Sequence, residues 1–306
     1  MIFLIIGLGS IAQKHIYAIR ELYPNSDIYA LRSGQTGQDA EGVKNIFDLD
    51  SLPQKPVLAI ISNPTNLHFQ TIQQLLPLGV PLLIEKPLFD KLIEWGTLLN
   101  KINERQIQTY IGFNLRFHPG ISFLRDYILQ NRPVVNEVNI YCGSYLPDWR
   151  PGKEFRKIYS AIKEQGGGVH LDLIHELDYC TWIFGFPSRS IAEFKNQSSL
   201  HIDACDYAHY SLDYDSFMAN ITLNYYRRDT KRFIEVLFEN ETWTLDIPTS
   251  TIKNHRNEII FSKDFKIMDT YKEQLEYLMA CLKGQKEIMN SFEEASKVLK
   301  ICLNNG

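Results

Sequence analysis

The sequence predicts an α/β protein in two domains, residues 1–117 and 118–306. Three observations carry this. Short apolar runs alternate with helical stretches through the first third, a glycine-rich turn follows the first run, and a series of strand-like segments fills much of the remainder. Alternating strands and helices imply a parallel sheet covered on both faces, whereas strands in succession imply an antiparallel one.

Ile2-Phe3-Leu4-Ile5-Ile6 reads as a doubly buried parallel strand, and Gly7-Leu8-Gly9-Ser10-Ile11-Ala12 opens a helix running to about Leu22. A second strand spans Asp27 to Leu31 and a third Val57 to Ile61; Thr65 to Leu76 reads as a helix and Pro81 to Ile84 as a further strand. A Gly-x-Gly-x-x-Ala turn placed directly between strand and helix predicts a dinucleotide site. Gly7 permits the tight turn, Gly9 the approach of a pyrophosphate, and Ala12 close packing of helix on strand, with the phosphates on the helix N-terminus near Ser10 and Ile11. An ordinary glycine turn is the plainer alternative.

The end of the second strand distinguishes the cofactors. An NAD site places an acid there for the ribose hydroxyls, but the sequence reads Arg32-Ser33. A guanidinium suits a 2′-phosphate, so NADP is expected over NAD, although Arg32 could instead stack on adenine. Ser62-Asn63-Pro64-Thr65 ends the third strand at the carboxyl rim, where ligands bind in open parallel sheets. Asn63 and Pro64 are expected to line the cofactor crevice, and Thr65 also suits a helix cap. Glu85-Lys86-Pro87 ends the next apolar run at the same rim. A charged pair there faces ligand and not core, which marks Glu85 and Lys86 for function.

Composition removes several classes. A net charge of −4 leaves no basic field to recruit nucleic acid or an anionic membrane. No apolar run approaches the ~20 residues of a membrane span, and the opening MIFLIIGLGS reads as a strand, not a signal peptide. Five scattered cysteines without a CxxC indicate neither a disulfide framework nor a zinc knuckle, and a cytoplasmic setting is expected. His201-x-Asp203-x-Cys205 lacks further ligands, so no metal is expected.

The glycine turn, ISNPTNLH, IEKP, GFNLRF at 112–117, GGGVHLDLIHELDY and the closing helix from Ser291 together resemble the Gfo/Idh/MocA oxidoreductases across essentially the whole chain. The resemblance implies a Rossmann domain followed by an α/β domain with a large, open, mostly antiparallel sheet. It also implies nicotinamide-dependent chemistry on sugars, polyols and their derivatives. The later residues fit that plan. Ile111–Asn114 is strand-like, Pro119–Gln130 helical and Val134–Tyr145 a long strand. A helix over Val169–Phe184 precedes strands near 190–194, 207–212, 217–224, 232–238, 242–245 and 258–261, and a helix near 271–282 follows. An uncovered apolar face of such a sheet predicts a homodimer or higher homo-oligomer.

After Gly166-Gly167-Gly168, the residues Asp172, His175 and Asp178 are spaced by three and share one face of a continuous helix. By resemblance His175 is the acid/base and Lys86 hydrogen-bonds the reacting oxygen or shares the proton relay; a carboxylate near the histidine would set its tautomer. The family's Asp-x-x-x-His is shortened here to Asp172-x-x-His175, which puts the part played by Asp172 in question. Asn114 and Arg116 match the crevice-lining segment. Trp149, Arg150 and Tyr159, in a loop rich in aromatics and arginines, join Asp178 as substrate candidates and suit a sugar acid or nucleotide sugar. The expected activity is hydride transfer at a hydroxyl or ketone carbon of a sugar-like small molecule. A nicotinamide-binding sensor without turnover, or an imine or enone reductase on the same fold, are the alternatives.

Overall fold

The structure is a computed structural model that describes residues 1–34, 40–92 and 95–304. The chain divides into two compact units, Met1–Asn114 with Lys266–Ser296, and Leu115–Phe265 with Lys297–Gly306. A single division at 117/118 is expected from sequence; the chain instead returns residues 266–296 to the first unit. They carry a helix that packs on the glycine-turn helix.

The first unit contains β1 (Ile2–Ile6), α1 (Ser10–Leu22), β2 (Asp27–Leu31), β3 (Val43–Ile46), β4 (Leu58–Ile61), α2 (His68–Leu75), β5 (Leu82–Ile84), α3 (Gly96–Glu104) and β6 (Thr109–Ile111). The strands form one parallel sheet in the order β3-β2-β1-β4-β5-β6. Strand order reverses between β1 and β4, which is where doubly wound sheets open a ligand crevice. Every residue of β1, β4 and β5 is buried, as strands covered on both faces require. The helix expected over 65–76 is shorter: a 3₁₀ turn, Thr65–Leu67, leads into α2, and Pro77 and the left-handed Gly79 end it. The strand expected at 111–114 lies earlier, as β6, and Asn114–Phe117 is a 3₁₀ turn.

The second unit contains α4 (Pro119–Asn131), β7 (Val135–Tyr145), α5 (Val169–Asp172), α6 (His175–Phe184), β8 (Arg189–Lys195), β9 (Tyr207–Asp213), β10 (Met218–Asn224), β11 (Tyr226–Phe238), β12 (Thr242–Asp246), β13 (Thr251–Asn254) and β14 (Ile259–Ser262). The sheet runs β14-β13-β12-β11-β7-β10-β9-β8, antiparallel throughout except for the parallel pair β7/β10. One face is core: Ala208, Tyr210, Leu212, Ile221, Val138, Ile140, Ile234 and Val236 are buried. Gly120 of α4 lies so close to it that a Cβ would stand 2.5 Å from Leu245 Cδ1.

The other face departs from the apolar surface expected. Ser211, Asn220, Asn139 and Glu235 run across β9, β10, β7 and β11 as a hydrogen-bonded row (Ser211 Oγ to Asn220 Oδ1 3.3 Å, Asn220 Nδ2 to Asn139 Oδ1 3.5 Å, Asn139 Nδ2 to Glu235 Oε2 3.3 Å). Alternate positions of each strand share a face, so a single polar register places all four together. After β14 come α7 (Ile267–Leu282), in the first unit, and α8 (Phe292–Cys302), which begins in the first and ends in the second.

Candidate active site

The Gly7 turn is fixed by sterics. Gly7 has φ +83°, and a Cβ there would sit 2.9 Å from Asn63 Cα, so β1 and the segment after β4 approach as only glycine allows. Ser62 Oγ donates to the Ile6 carbonyl (3.1 Å) across the same contact. Gly9 is different: a Cβ there meets nothing within 4 Å among the described residues. α1 starts at Ser10 with no side-chain cap and no acid in its first turn, so its free N–H groups remain for an anion. Ser10 is exposed, Ile11 half-buried, and Ala12 fully buried against the sheet. Open space at Gly9 before an uncapped, acid-free N-terminus fits a pyrophosphate. At the end of β2, Arg32 Nη1 donates to Asn45 Oδ1 (3.1 Å), with Ser33 exposed beside it. Asn45 is on β3, a strand absent from the sequence reading, and it braces the guanidinium at the rim.

Two loops complete the rim of the first unit. His68 is buried, with Nδ1 3.1 Å from the Leu88 carbonyl and Nε2 3.1 Å from the Asn63 carbonyl. It therefore ties the loops after β4 and β5 together. Burial lowers its pKa, outweighing the two carbonyls that pull it up. Asn63 Nδ2 donates to Thr71 Oγ1 (2.8 Å), while Pro64 is exposed and caps the turn that follows. Thr65 makes no capping bond.

The Glu85-Lys86 pair is explained by a partner on α1. Glu85 is 6% exposed, and its Oε1 lies 2.6 Å from Nε2 of the fully buried His15. Its Oε2 accepts the Lys86 N–H (3.3 Å). Gly112 closes the other side, since a Cβ there would stand 3.0 Å from Oε1. The carboxylate thus faces inward and fixes the backbone of Lys86, which is half-buried and precedes a cis peptide to Pro87. His15 packs edge-on against Tyr271 of α7, whose hydroxyl is pushed up by burial and then by Glu85. The sequence reading missed His15. Its signal was a histidine inside the apolar stripe Ala12, Ile16, Ile19, where a polar group requires a partner. Asn114, expected in the crevice, is buried with its amide donating to Thr270 Oγ1 (2.7 Å).

In the second unit the expected continuous helix is broken. α5 ends at Asp172, Leu173 has φ −103° and ψ 31°, and α6 begins at His175. Asp172 and His175 therefore stand on different helices, while His175 and Asp178 share the first turn of α6. Asp172 is 7% exposed; its Oδ1 accepts the Tyr159 hydroxyl (2.7 Å) and its Oδ2 the Tyr225 hydroxyl (2.5 Å). The glycine triad makes this possible. A Cβ on Gly167 would lie 2.2 Å from the Tyr159 carbonyl and 2.7 Å from that of Ile162, so the 159–162 segment lies directly on the approach to α5. Gly168, at φ +136°, turns the chain into that helix.

Asp178 and Arg116 are paired with each other, both 1% exposed, through Arg116 Nη2 to Oδ1 (2.6 Å) and Nε to Oδ2 (3.0 Å). This fork joins the 114–117 turn to α6. Next to His175, the buried Glu176 holds Arg232 of β11 (Oε1 to Nε, 2.6 Å), fixing the first turn of α6 to the sheet. His175 itself is half-buried. Trp149 donates to Ser144 Oγ (2.9 Å) and packs edge-on against Tyr225, while Arg150 lies 5.4 Å over the Tyr159 ring. Among the described residues none of the five cysteines is in a disulfide. Asp203 caps the Lys163 N–H and Cys205 Sγ donates to the Tyr207 carbonyl; among the described residues no cluster suits a metal ion. No described helix is long and apolar enough to cross a membrane.

The chain is 25% identical over 197 residues to an uncharacterized oxidoreductase of Synechocystis sp., covering 61% of this chain and 52% of that protein. It is 23% identical over 217 residues to scyllo-inositol 2-dehydrogenase (NADP(+)) of Bacillus subtilis, covering 69% and 58%. The matches thus span little more than half the length of these relatives. The fold matches the WlbA dehydrogenase of Bordetella pertussis, solved with NADH and UDP-GlcNAcA, with a TM-score of 0.83 at 16% identity, covering 100% of this chain and 95% of that one. Residues 1–113 match the model of the GFO_IDH_MocA oxidoreductase family with an NAD-binding Rossmann fold.

Proposed function

We propose that this protein is a dehydrogenase or reductase that moves a hydride between NADP(H) and the hydroxyl- or ketone-bearing carbon of a sugar, polyol or sugar derivative. The observation that carries this reading is the buried Glu85 carboxylate. Held by His15 and turned back onto the Lys86 N–H, it presents a lysine at the carboxyl rim of the dinucleotide-binding sheet. A charged pair merely ending a strand would have no need of a buried partner from the glycine-turn helix.

A bound nicotinamide would supply the hydride acceptor or donor. Gly7, Gly9 and the α1 N-terminus would hold its pyrophosphate, and Arg32, steadied by Asn45, would meet the adenosine ribose. With no acid at the end of β2, this end favours the 2′-phosphate of NADP over NAD. By the resemblance, His175 would take the proton of the substrate hydroxyl in the oxidative direction. By the same resemblance, Lys86 would donate a hydrogen bond to the reacting oxygen. Asp178 and Arg116 are committed to each other and hold α6, which begins at His175. In this reading they are braces, and Asn114 likewise holds the end of β6 to α7.

Lys86→Ala and His175→Ala test the roles. With scyllo-inositol and UDP-GlcNAcA among the screened substrates, each change should lower turnover by ~10²-fold or more. NADPH affinity should stay within about twofold. Full turnover by both variants on a substrate the parent uses would remove both residues from the chemistry.

A further inference from the structure

The loop between β7 and α5 carries two arginines with different fates. Arg156 is committed, with Nε donating to the Leu200 carbonyl (3.1 Å) and Nη1 3.5 Å from Glu154 Oε1. Arg150 is exposed, and among the described residues its guanidinium has no carboxylate or hydrogen-bond partner; it only lies over the Tyr159 ring at 5.4 Å. A guanidinium stacked on an aromatic face is held in place while its N–H fork stays available.

Tyr159 is itself unusual. It is 40% exposed, yet its hydroxyl is anchored on the buried Asp172. A phenol has one proton, and Tyr159 gives that proton to Asp172 Oδ1. Toward a ligand its oxygen can therefore only accept. Tyr225, buried and donating to Asp172 Oδ2, holds the carboxylate from the other side, and Trp149 packs on Tyr225. The neighbouring His170 is held neutral at ordinary pH, since burial takes its pKa down to about 4 despite the pull of Asp172.

We propose that Arg150 and Tyr159 form a substrate subsite in which Arg150 takes an anionic group, carboxylate or phosphate, and Tyr159 accepts from a hydroxyl beside it, with Asp172 and Tyr225 as the positioning residues. This rests on the dehydrogenase reading and narrows its substrate to an acidic or phosphorylated sugar derivative. Asp172 serves the subsite by orienting a tyrosine and carries no proton to or from the substrate.

The test is calorimetric titration of the NADPH-saturated protein with UDP-GlcNAcA, with UDP-GlcNAc, which lacks only the carboxylate, and with neutral scyllo-inositol. Arg150→Gln removes an exposed side chain, so the fold is spared. A roughly tenfold loss confined to UDP-GlcNAcA assigns Arg150 to the carboxylate. An equal loss for both nucleotide sugars assigns it to the phosphates. Unchanged affinity for both, binding of scyllo-inositol alone, or binding of none of the three overturns the subsite.

Tyr159→Phe and Asp172→Asn should each weaken the bound nucleotide sugar, and the double variant should lose little more than the worse single one. Additive losses would contradict positioning through Tyr159. NADPH binding, measured first, separates failure of the subsite from failure of the dehydrogenase reading: intact binding with no Arg150 effect removes only the subsite.

Discussion

Glu85 and Asp172 are both buried carboxylates, and each is satisfied by groups far from it in sequence: His15 for the first, Tyr159 and Tyr225 for the second. Removing one partner of such a pair leaves the other buried and unpaired, which costs ~1–3 kcal/mol. Glu85→Ala should therefore lower the urea midpoint and also weaken NADPH binding severalfold, because it frees Lys86 and one anchor of α1. Glu85→Gln, which keeps a hydrogen-bonding side chain of the same size, should recover most of the stability. Equal midpoints for the parent and Glu85→Ala would show that the His15 contact contributes nothing. The Glu85-Lys86 pair stands out in the sequence because a charge that ends an apolar run needs a reason, and for Glu85 that reason is His15. Asp172 was misplaced because spacing by three implies a shared face only on an unbroken helix, and the break at Leu173 leaves no mark in composition.

At the scale of elements, the glycines before α5 and the cap of α4 make the sharpest predictions. Gly167→Ala would drive a methyl group into three carbonyls, those of Tyr159, Ser160 and Ile162. It should destabilise the second unit by ~3 kcal/mol or more, or prevent its folding. An unchanged thermal midpoint would refute the close approach.

His118 caps α4, with Nδ1 accepting the Ile121 N–H (3.3 Å) and Nε2 2.9 Å from the Ile247 carbonyl. Burial takes its pKa from the ordinary 6.5 down to about 4, and His170 behaves alike. Between those values the unfolded chain holds the protons that the folded chain refuses, so stability falls as pH drops from about 6.5 and levels off below about 4. His118→Asn keeps an N-cap acceptor and cannot titrate, so its thermal midpoint should fall less steeply over this range. An identical slope would exclude His118. β1, β2 and β4 were readable because continuous apolar runs allow little else. β3 and β13, reading VKNI and TIKN, are four residues long and half or more polar, and nothing in such segments separates a strand from a loop.

For the whole molecule, a parallel sheet followed by a mostly antiparallel one was legible in the sequence, whereas the return of residues 266–296 to the first unit depends on long-range packing of α7 on α1 that no local pattern records. The open face of the large sheet was expected to be apolar and is instead crossed by the Ser211–Asn220–Asn139–Glu235 row, because strand alternation fixes which residues share a face but not their partner. We propose that a second copy of the chain covers this face. Sedimentation should then give a dimer or larger, and Asn139→Arg, which puts an unpaired charge in the row, should dissociate it; a monomeric parent would contradict this.

The most direct test of the central claim is fluorescence titration of the purified protein with NADPH and, separately, NADH. Binding of NADPH more tightly than NADH, with the preference abolished by Arg32→Ala, is the predicted result. Equal or tighter NADH binding would move Arg32 to the adenine ring, and binding of neither would contradict the assignment of this protein as a nicotinamide-dependent enzyme.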